Sequence, residues 1–334
     1  MRVGVIGAGS WGTALAVIAG RAGHDVRLWS RNAEVADAIN RERSNPCYLK
    51  ETRIPDNVGA SQKILDVVPA AELLIFAAPS HTARKLVSEM SAVLRPEMIF
   101  VSAAKGIEIE TGKRISEIVE EVVSEKARPR FVCLSGPSFD KEVVENHPTA
   151  VVAAGADAEV TRVVQSALSV QNFRIYTNDD VIGTELAGSL KNVIAIAAGM
   201  VAGLDFGSNS LAALITRGLA EITRLAVNQG ARIETMIGLA GVGDLVLTCT
   251  GSLSRNRFVG EELGKGRTLE EIQGQMSEVA EGVKTTRAAK LLAEKAGIQM
   301  PITNEVHAVL YAKKLARDAV AELMSRPLQT EKNW

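Results

Sequence analysis

The sequence predicts an α/β protein in which an N-terminal doubly wound sheet precedes an all-α domain. Up to about residue 180, β-prone apolar runs alternate with segments of helical periodicity, a pattern typical of a parallel sheet with helices on both faces. Beyond that point the strand signal stops, and helical segments separated by glycine loops continue to the C-terminus. A chain of 334 residues is long enough for two cores. We therefore expect domains at 1–180 and 181–334.

The elements follow one another in a regular order. In the first domain, apolar runs predict strands at 2–6, 26–29, 72–78, 98–102, 131–134, 149–153 and 173–176. Helical periodicity predicts intervening helices at 13–19, 81–94, 115–123 and 158–169. In the second domain, helices are predicted at 185–202, 211–229, 255–265, 268–275, 285–296 and 304–311.

A G-x-G-x-x-G turn joins the first strand to the first helix. Gly7 permits the sharp turn off the strand, Gly9 lets the backbone approach a pyrophosphate, and Gly12 lets the helix pack closely on the strand. The N–H groups at the start of that helix then face the phosphates. The context predicts a Rossmann-type dinucleotide-binding domain, and the alternative is a plain glycine turn in an α/β domain.

The end of the second strand bears on the choice of cofactor. Sites that bind only NAD usually place an Asp or Glu there to bind the adenosine ribose. Here the chain reads Ser30-Arg31-Asn32, and a guanidinium favours a 2′-phosphate. Arg31 therefore favours NADP(H), with NAD(H) left open. The alternative is that Arg31 is a solvated loop charge.

Composition excludes several other classes of protein. A formal net charge of −1 gives no reason to expect a nucleic acid or an anionic membrane as partner. Three widely spaced cysteines and four histidines, without metal-ligand spacing, argue against a disulfide framework and a bound metal. No secretory leader precedes the first strand, and the longest apolar run, 193–204, is too short to span a bilayer. We expect a cytoplasmic protein without integral membrane contact.

Ligands of such sheets bind beyond the carboxyl ends of the strands. Three strand ends are therefore candidates, at residues 79–80, 105–106 and 136–138. In the last of these, Gly136 lets the backbone approach a ligand, and Ser138 offers a hydroxyl. The alternative is a helix-capping turn without a ligand.

A single lysine, Lys191, lies in a long apolar helix of the second domain. Burial is costly for an ammonium unless it is paired, and it lowers the pKa of a lysine, which can then act as a general acid or base. Repulsion from Lys105 would lower that pKa further, whereas Asp244 or a bound phosphate would raise it. The alternative is a lysine that extends to solvent.

Two further segments offer substrate-binding groups. Glycines on both sides of Asp244 predict a tight loop that presents its carboxylate. Ser254, Arg255 and Asn256 supply a hydroxyl, a bidentate cation and an amide at the start of a helix, which suits a phosphate and a hydroxylated carbon chain. The alternative is a capped helix with solvated charges.

These segments together resemble the bacterial type of NAD(P)-dependent glycerol-3-phosphate dehydrogenase. The similar blocks cover nearly the whole chain: GAGSWGTALA at 7–16, SAAKGIE at 102–108, SGPSF at 135–139, SLKNVIAIAAG at 189–199, GLAGVGDLVLTCTG at 238–251, SRNRFVG at 254–260, EG at 281–282 and LMSRPLQTE at 323–331. The resemblance implies an N-terminal dinucleotide domain, a helical C-terminal domain and an active site in the cleft between them.

The resemblance also implies residue roles. Lys191 matches the catalytic proton acceptor and binds substrate. The other implied substrate contacts are Lys105, Gly136, Ser138, Asp244, Ser254, Arg255 and Asn256. The implied cofactor contacts, beyond Gly7, Gly9 and Gly12, are Ser10, Trp11, Arg31, Lys105, Asp140, Arg255, Val279 and Glu281. At Asp140 the chain departs from the family, which often has a small residue there. The Asp140 carboxylate would repel a phosphate.

The reaction implied is the reversible reduction of dihydroxyacetone phosphate to sn-glycerol 3-phosphate by NAD(P)H, supplying glycerophospholipid synthesis. The family also suggests a homodimer. Two alternatives are a 3-hydroxyacid dehydrogenase of the same architecture and a non-catalytic NADP(H)-binding sensor. The presence of Lys105, Lys191, Asp244 and Arg255 together argues against the sensor.

Overall fold

A computed structural model describes residues 1–276, 280–328, 330 and 331. These residues form two compact units. The first contains residues 1–105 and 114–181, and the second contains residues 106–113 and the chain from Ile182 onward. The predicted first domain includes 106–113, but this segment belongs to the second unit.

The first unit is built on a parallel-rich sheet. Its strands are β1 (Arg2–Ile6), β2 (Asp25–Trp29), β3 (Val58–Ser61), β4 (Leu73–Phe76), β5 (Ile99–Ser102), β6 (Arg130–Ser135), β7 (Thr149–Ala154) and β8 (Phe173–Asn178). Their order in the sheet is β3-β2-β1-β4-β5-β6-β7-β8. The strand order reverses between β1 and β4, which makes the sheet doubly wound, as predicted. Ligands of such sheets bind at this point of reversal, and here it lies beside the glycine turn that follows β1. Strand β3 had not been predicted.

Helices cover both faces of this sheet. They are α1 (Ser10–Arg21), α2 (Ala33–Glu42), α3 (Ala83–Met90), α4 (Ile115–Val122), α5 (Asp140–Val144) and α6 (Ala158–Leu168). Successive residues of a strand point to opposite faces, so Ile75 lies in one apolar core and Phe76 in the other. Stacking of Phe76 on Phe100 and of Phe100 on Phe131, with ring centroids 5.9 Å apart, continues the second core across three strands.

One strand pair departs from the predicted parallel arrangement. β6 and β7 pair antiparallel, with Ser135 opposite Val152. The helix between them, α5, has five residues and is about 7.5 Å long, whereas the six-residue β6 extends about 20 Å. A parallel β7 would have to start at the edge of the sheet where β6 begins, and so short a helix cannot carry the chain back there. β7 therefore runs antiparallel beside β6.

The second unit is helical, as predicted. Its helices are α7 (Val181–Gly203), α8 (Ser208–Asn228), α9 (Ile233–Met236), α10 (Asp244–Thr250), α11 (Arg255–Gly264), α12 (Leu269–Gln273), α13 (Glu281–Ala296), α14 (Pro301–Tyr311) and α15 (Ala316–Ser325). Residues of the segment 106–113 join this unit: Ile107 lies in its core, and Gly112, at φ +77°, packs against Leu292 of α13.

Two segments, Val181–Gly203 and Ile233–Thr250, are long and apolar enough to cross a membrane by length and composition. The first is α7, and 89% of its most apolar stretch is buried. Its composition is therefore that of the central helix of a helical core. The second segment is 44% buried and consists of α9, a π-helical turn at Leu239–Gly243, and α10.

Candidate active site

The glycine turn has the backbone geometry that the fingerprint predicts. Gly7 has φ +112°, a conformation that side chains disfavour, and a Cβ there would lie 2.9 Å from the Ala78 nitrogen. A Cβ at Gly12 would overlap the Gly7 carbonyl oxygen, so α1 can begin this close to β1 only without a side chain. A Cβ at Gly9, by contrast, would meet no atom of the described residues within 4 Å. The turn therefore leaves open space beside Gly9, where a ligand could approach the backbone.

The first turn of α1 suits an anionic ligand. No described side chain caps its N-terminus, and the turn contains no acidic residue. Its N–H groups and the helix dipole therefore act on a nearby anion without a competing carboxylate. Ser10 is buried at this end, and the indole Nε1 of Trp11 is buried and has no hydrogen-bond partner among the described residues. An unsatisfied buried donor costs about 1–3 kcal/mol. Acceptor oxygens of a bound dinucleotide would remove that cost, so these residues fit the predicted cofactor.

Arg31 lies at the end of β2, in the loop that leads to α2. The Asn32 side chain accepts a hydrogen bond from the Glu34 N–H and so caps α2. Arg31 itself is exposed and makes no ion pair with another residue of the described ranges. Its guanidinium is thus available to an anion at the carboxyl end of β2.

The predicted strand-end residues of β5 and β6 come together. Lys105 Nζ donates to the Gly136 carbonyl oxygen at 3.0 Å, and Ser138 Oγ donates to the same oxygen at 2.9 Å. Gly136 has φ +136°, and a Cβ there would lie 2.9 Å from the Val151 Cα. β5 and β6 are neighbouring parallel strands, which is why residues 31 positions apart meet at one edge.

Asp140 is the first residue of α5, and its carboxylate accepts a hydrogen bond from the Lys141 N–H at 2.8 Å. This bond turns the carboxylate toward the backbone of the first turn of α5, whose N-cap residue is Phe139.

Lys191 is the centre of the second unit's polar cluster. Its Nζ donates to Asp244 Oδ1 at 2.5 Å and to Thr248 Oγ1 at 2.7 Å. The side chains of Lys191 and Asp244 are only 5% and 1% exposed. Lys191 is therefore a paired buried ammonium, and the alternative of a lysine that extends to solvent is wrong.

The prediction of a tight loop around Asp244 is also wrong. The glycine-rich segment Leu239–Gly243 forms a π-helical turn, and Asp244 is the first residue of α10. A Cβ at Gly241 would overlap the Met236 carbonyl oxygen, so the glycines serve close packing of helical turns. Thr248, one turn after Asp244 on the same helix face, donates to the Asp244 carbonyl oxygen at 2.6 Å. Sequence reasoning missed Thr248, although its i+4 spacing from Asp244 was readable.

The thiol of Cys249 lies beside this ion pair. Burial raises the pKa of Cys249 to about 12, the Lys191 ammonium opposes this shift, and the Asp244 carboxylate adds to it. None of the three cysteines, all of which lie within the described ranges, forms a disulfide. Among the described residues no group of three or more His, Cys, Asp or Glu side chains could hold a metal ion.

A second polar cluster joins α7, α11 and α13. Asn256 Nδ2 donates to Asn192 Oδ1, and the Gly282 N–H donates to Asn256 Oδ1, both at 2.9 Å. Because the Gly282 N–H can only donate, its partner on the Asn256 amide must be the oxygen. Asn192, the neighbour of Lys191, was missed in the sequence, where it is one amide among apolar residues.

The remaining predicted residues lie at helix starts. Ser254 is buried and caps α11 by accepting from the Arg257 N–H, as the capped-helix alternative expected. Arg255 is the exposed first residue of α11, and Glu281 is the first residue of α13. Val279 lies outside the described residues.

Four glycines bring α7 and α11 into backbone contact. A Cβ at Gly199 would overlap the Arg257 carbonyl oxygen, and one at Gly260 would overlap that of Ile196. Gly203 and Gly264 repeat the contact one turn further along both helices. This close approach places the Lys191-Asn192 segment of α7 where Asn256 of α11 can reach it.

The fold and these side chains define a two-unit, dinucleotide-dependent oxidoreductase. Residues 2–161 match the N-terminal part and residues 180–321 the C-terminal part of the NAD-dependent glycerol-3-phosphate dehydrogenase family. The chain belongs to this family.

Named relatives agree over nearly the full length. Glycerol-3-phosphate dehydrogenase [NAD(P)+] of Koribacter versatilis is 54% identical over 99% of this chain and 98% of its own. The corresponding enzyme of Citrifermentans bemidjiense is 48% identical with the same coverage. A crystal structure of glycerol-3-phosphate dehydrogenase from Coxiella burnetii superposes with a TM-score of 0.93 at 38% identity, covering 97% of this chain and 99% of its own.

Proposed function

We propose that this protein catalyses the reversible reduction of dihydroxyacetone phosphate to sn-glycerol 3-phosphate, with Lys191 as the acid and base. The observation that carries the proposal is the Lys191 ammonium, buried and held by Asp244 and Thr248 in a unit otherwise lined by apolar helices. A proton donor in this setting has no function in a protein that only binds a cofactor. The product supplies glycerophospholipid synthesis.

The chemistry divides between cofactor and protein. Reduced nicotinamide, when bound, supplies a hydride to C2 of the substrate, and the cofactor is oxidised to NAD(P)+. Lys191 Nζ donates a proton to the C2 oxygen, which completes the alcohol. In the reverse direction the neutral amine of Lys191 accepts the proton of the C2 hydroxyl. Asp244 and Thr248 hold Nζ in one position, because both accept hydrogen bonds from it.

The other residues bind and orient the substrate. Arg255 and the start of α11 hold the phosphate, with Ser254 capping the same helix. Asn256 and Asp244 orient the hydroxyl groups. Gly136 and Ser138 bind the carbon chain, and Lys105 adds positive charge near the carbonyl oxygen. A well-placed cation of this kind contributes several kcal/mol, or about a hundredfold in rate.

The cofactor contacts follow the same logic. Gly7, Gly9 and Gly12 shape the turn, and Ser10 and Trp11 contact the dinucleotide at the start of α1. Glu281, Arg255, Lys105 and Val279 are further contacts, and Asp140 contributes least because its carboxylate would repel a phosphate and accepts a hydrogen bond from the Lys141 N–H.

An absorbance assay with dihydroxyacetone phosphate and NADPH or NADH tests the reaction. We expect oxidation of the cofactor that depends on the triose phosphate and is absent with 2-oxo and 3-oxo carboxylates of similar size. Turnover of the carboxylates alone would point to a 3-hydroxyacid dehydrogenase instead. Binding of cofactor without any turnover would point to a sensor.

We further propose a preference for NADP(H), set by Arg31. An exposed guanidinium at the end of β2 favours the 2′-phosphate through charge-assisted hydrogen bonds. We expect Arg31→Ala to weaken NADPH binding about tenfold and NADH binding by less than twofold. Calorimetric titration measures both, and equal losses would contradict the assignment.

The protein is also proposed to be a cytoplasmic homodimer, by analogy with its family. Sedimentation velocity on the purified chain tests the dimer. A single species at the mass of one chain across micromolar concentrations would exclude it.

A further inference from the structure

We propose that Asn45 is a positioning residue for the cofactor, because it sets the direction of the Gly9 N–H. Asn45 lies between α2 and β3, in a part of the chain to which sequence reasoning gave no function. It is 0% exposed, although asparagine is usually a surface residue. The inference rests on the proposed function, since it concerns the site for the dinucleotide.

Every polar atom of the Asn45 side chain is engaged. Nδ2 donates to the Ala8 carbonyl oxygen at 3.0 Å and to Thr13 Oγ1 at 2.9 Å. Oδ1 accepts from the N–H groups of Cys47 and Tyr48, both at 3.1 Å. Because two backbone donors require an oxygen, the amide can have only one orientation, which points its nitrogen at the glycine turn.

The Ala8 carbonyl is the contact that matters for the ligand. In a trans peptide the C=O of one residue and the N–H of the next point in opposite directions. Asn45 holds the Ala8 C=O toward the protein interior, so the Gly9 N–H points away from it. That N–H makes no hydrogen bond to another described residue, and the position of a Cβ on Gly9 is open space. The bond to Asn45 thus orients one donor of the anion site before the ligand arrives.

A donor oriented in advance strengthens binding because the ligand need not order the turn. The Gly9 N–H would bind the pyrophosphate, which NADPH and NADH share, whereas Arg31 would bind only the 2′-phosphate. Loss of the Asn45 side chain should therefore lower the affinities for NADPH and for NADH by the same factor. This pattern separates Asn45 from a residue that recognises the 2′-phosphate.

Asn45→Ala in the full-length protein is the main test, with calorimetric titration of NADPH and of NADH. We expect both dissociation constants to rise about tenfold, which corresponds to the loss of one oriented hydrogen bond to a charged group. The KM for NADPH should rise by a similar factor, while kcat at saturating cofactor stays within about twofold.

Asn57→Ala is the matched control. Asn57 Nδ2 donates to the carbonyl oxygens of Gly20 and His24 at 2.8 Å, so it makes an equivalent double contact at the opposite end of α1. This variant should lower the melting temperature without changing either cofactor affinity. Equal affinity losses in the Asn45 and Asn57 variants would reduce Asn45 to a structural residue and overturn the inference.

Thr13→Val decides the case if Asn45→Ala does not fold. It removes one acceptor of the Asn45 amide and preserves the shape of the side chain. Equal weakening of NADPH and NADH binding supports the inference, and unchanged binding overturns it. A wild-type protein that binds neither cofactor would contradict the proposed function itself, which is a different result from wild-type binding with insensitive variants.

Discussion

Lys191 Nζ lies 2.5 Å from Asp244 Oδ1, although the two residues are 53 positions apart in the chain and belong to different helices. Neither charge has appreciable access to water. A buried ammonium and a buried carboxylate are each costly alone and tolerable as a pair. The proposed proton donor therefore also contributes to the stability of the second unit, because its removal would leave the Asp244 carboxylate buried without its partner.

Replacing Lys191 should abolish turnover and spare cofactor binding. Lys191→Ala removes the proton donor, so we expect kcat to fall about a hundredfold or more. The dissociation constant of NADPH should stay within about twofold, because the glycine turn belongs to the first unit. Steady-state kinetics and calorimetry measure these quantities, and near-wild-type kcat would refute the role of Lys191.

The effects of replacing Lys191 and Asp244 on the free energy of unfolding should be strongly non-additive. Lys191→Ala or Asp244→Ala leaves one buried charge unpaired, and each should lower the free energy of unfolding by about 3–5 kcal/mol. The double variant should lose clearly less than the sum of the two. Urea unfolding of the four proteins measures the coupling, and additive losses would show that the pair is not formed in solution.

The close contact that four glycines make between α7 and α11 should not tolerate an added side chain. Gly260→Ala forces the two backbones apart, because its Cβ would overlap the Ile196 carbonyl oxygen. We expect a loss of about 1–3 kcal/mol in stability and a lower kcat, since Asn256 and Lys191 shift relative to each other. Gly274→Ala is the control, because its Cβ would meet the Glu270 carbonyl oxygen at an ordinary 3.4 Å. Similar losses of stability in the Gly260→Ala and Gly274→Ala variants would argue against close backbone contact between α7 and α11.

Cys249 should reduce stability at alkaline pH. Burial raises the pKa of its thiol from 9.0 to about 12, so between these values the folded protein keeps a proton that the unfolded chain releases. The contribution of the neutral Cys249 thiol to the free energy of unfolding is complete below pH 9. It is lost as the pH rises toward 12, at about 1.4 kcal/mol per pH unit. Urea unfolding from pH 8 to 10.5 should show a steeper decline for the wild type than for Cys249→Ala. Parallel declines would contradict this.

Local signals in the sequence predicted most of the architecture. The three glycines of the turn, the alternation of strands and helices, and the one lysine in an apolar helix depend on neighbours within a few residues. Strand β3 and helix α2 escaped prediction. β3, with the sequence VGAS, is short and only partly apolar, and α2 has a low average hydrophobicity. The strand β7 was predicted, but its antiparallel direction was missed, because the direction of a strand depends on where its connection returns.

The sequence by itself determined the class of fold, the nucleotide fingerprint and the identity of the groups that can do chemistry. Only the tertiary structure decided how those groups are paired: Lys191 with Asp244 and Thr248, Asn256 with Asn192 and Gly282, and Asn45 with Ala8. The physical reason is that a turn or a helix is specified by adjacent residues. A hydrogen bond between distant residues, by contrast, exists only after whole helices have packed, and close packing depends on glycines whose partners no local pattern reveals.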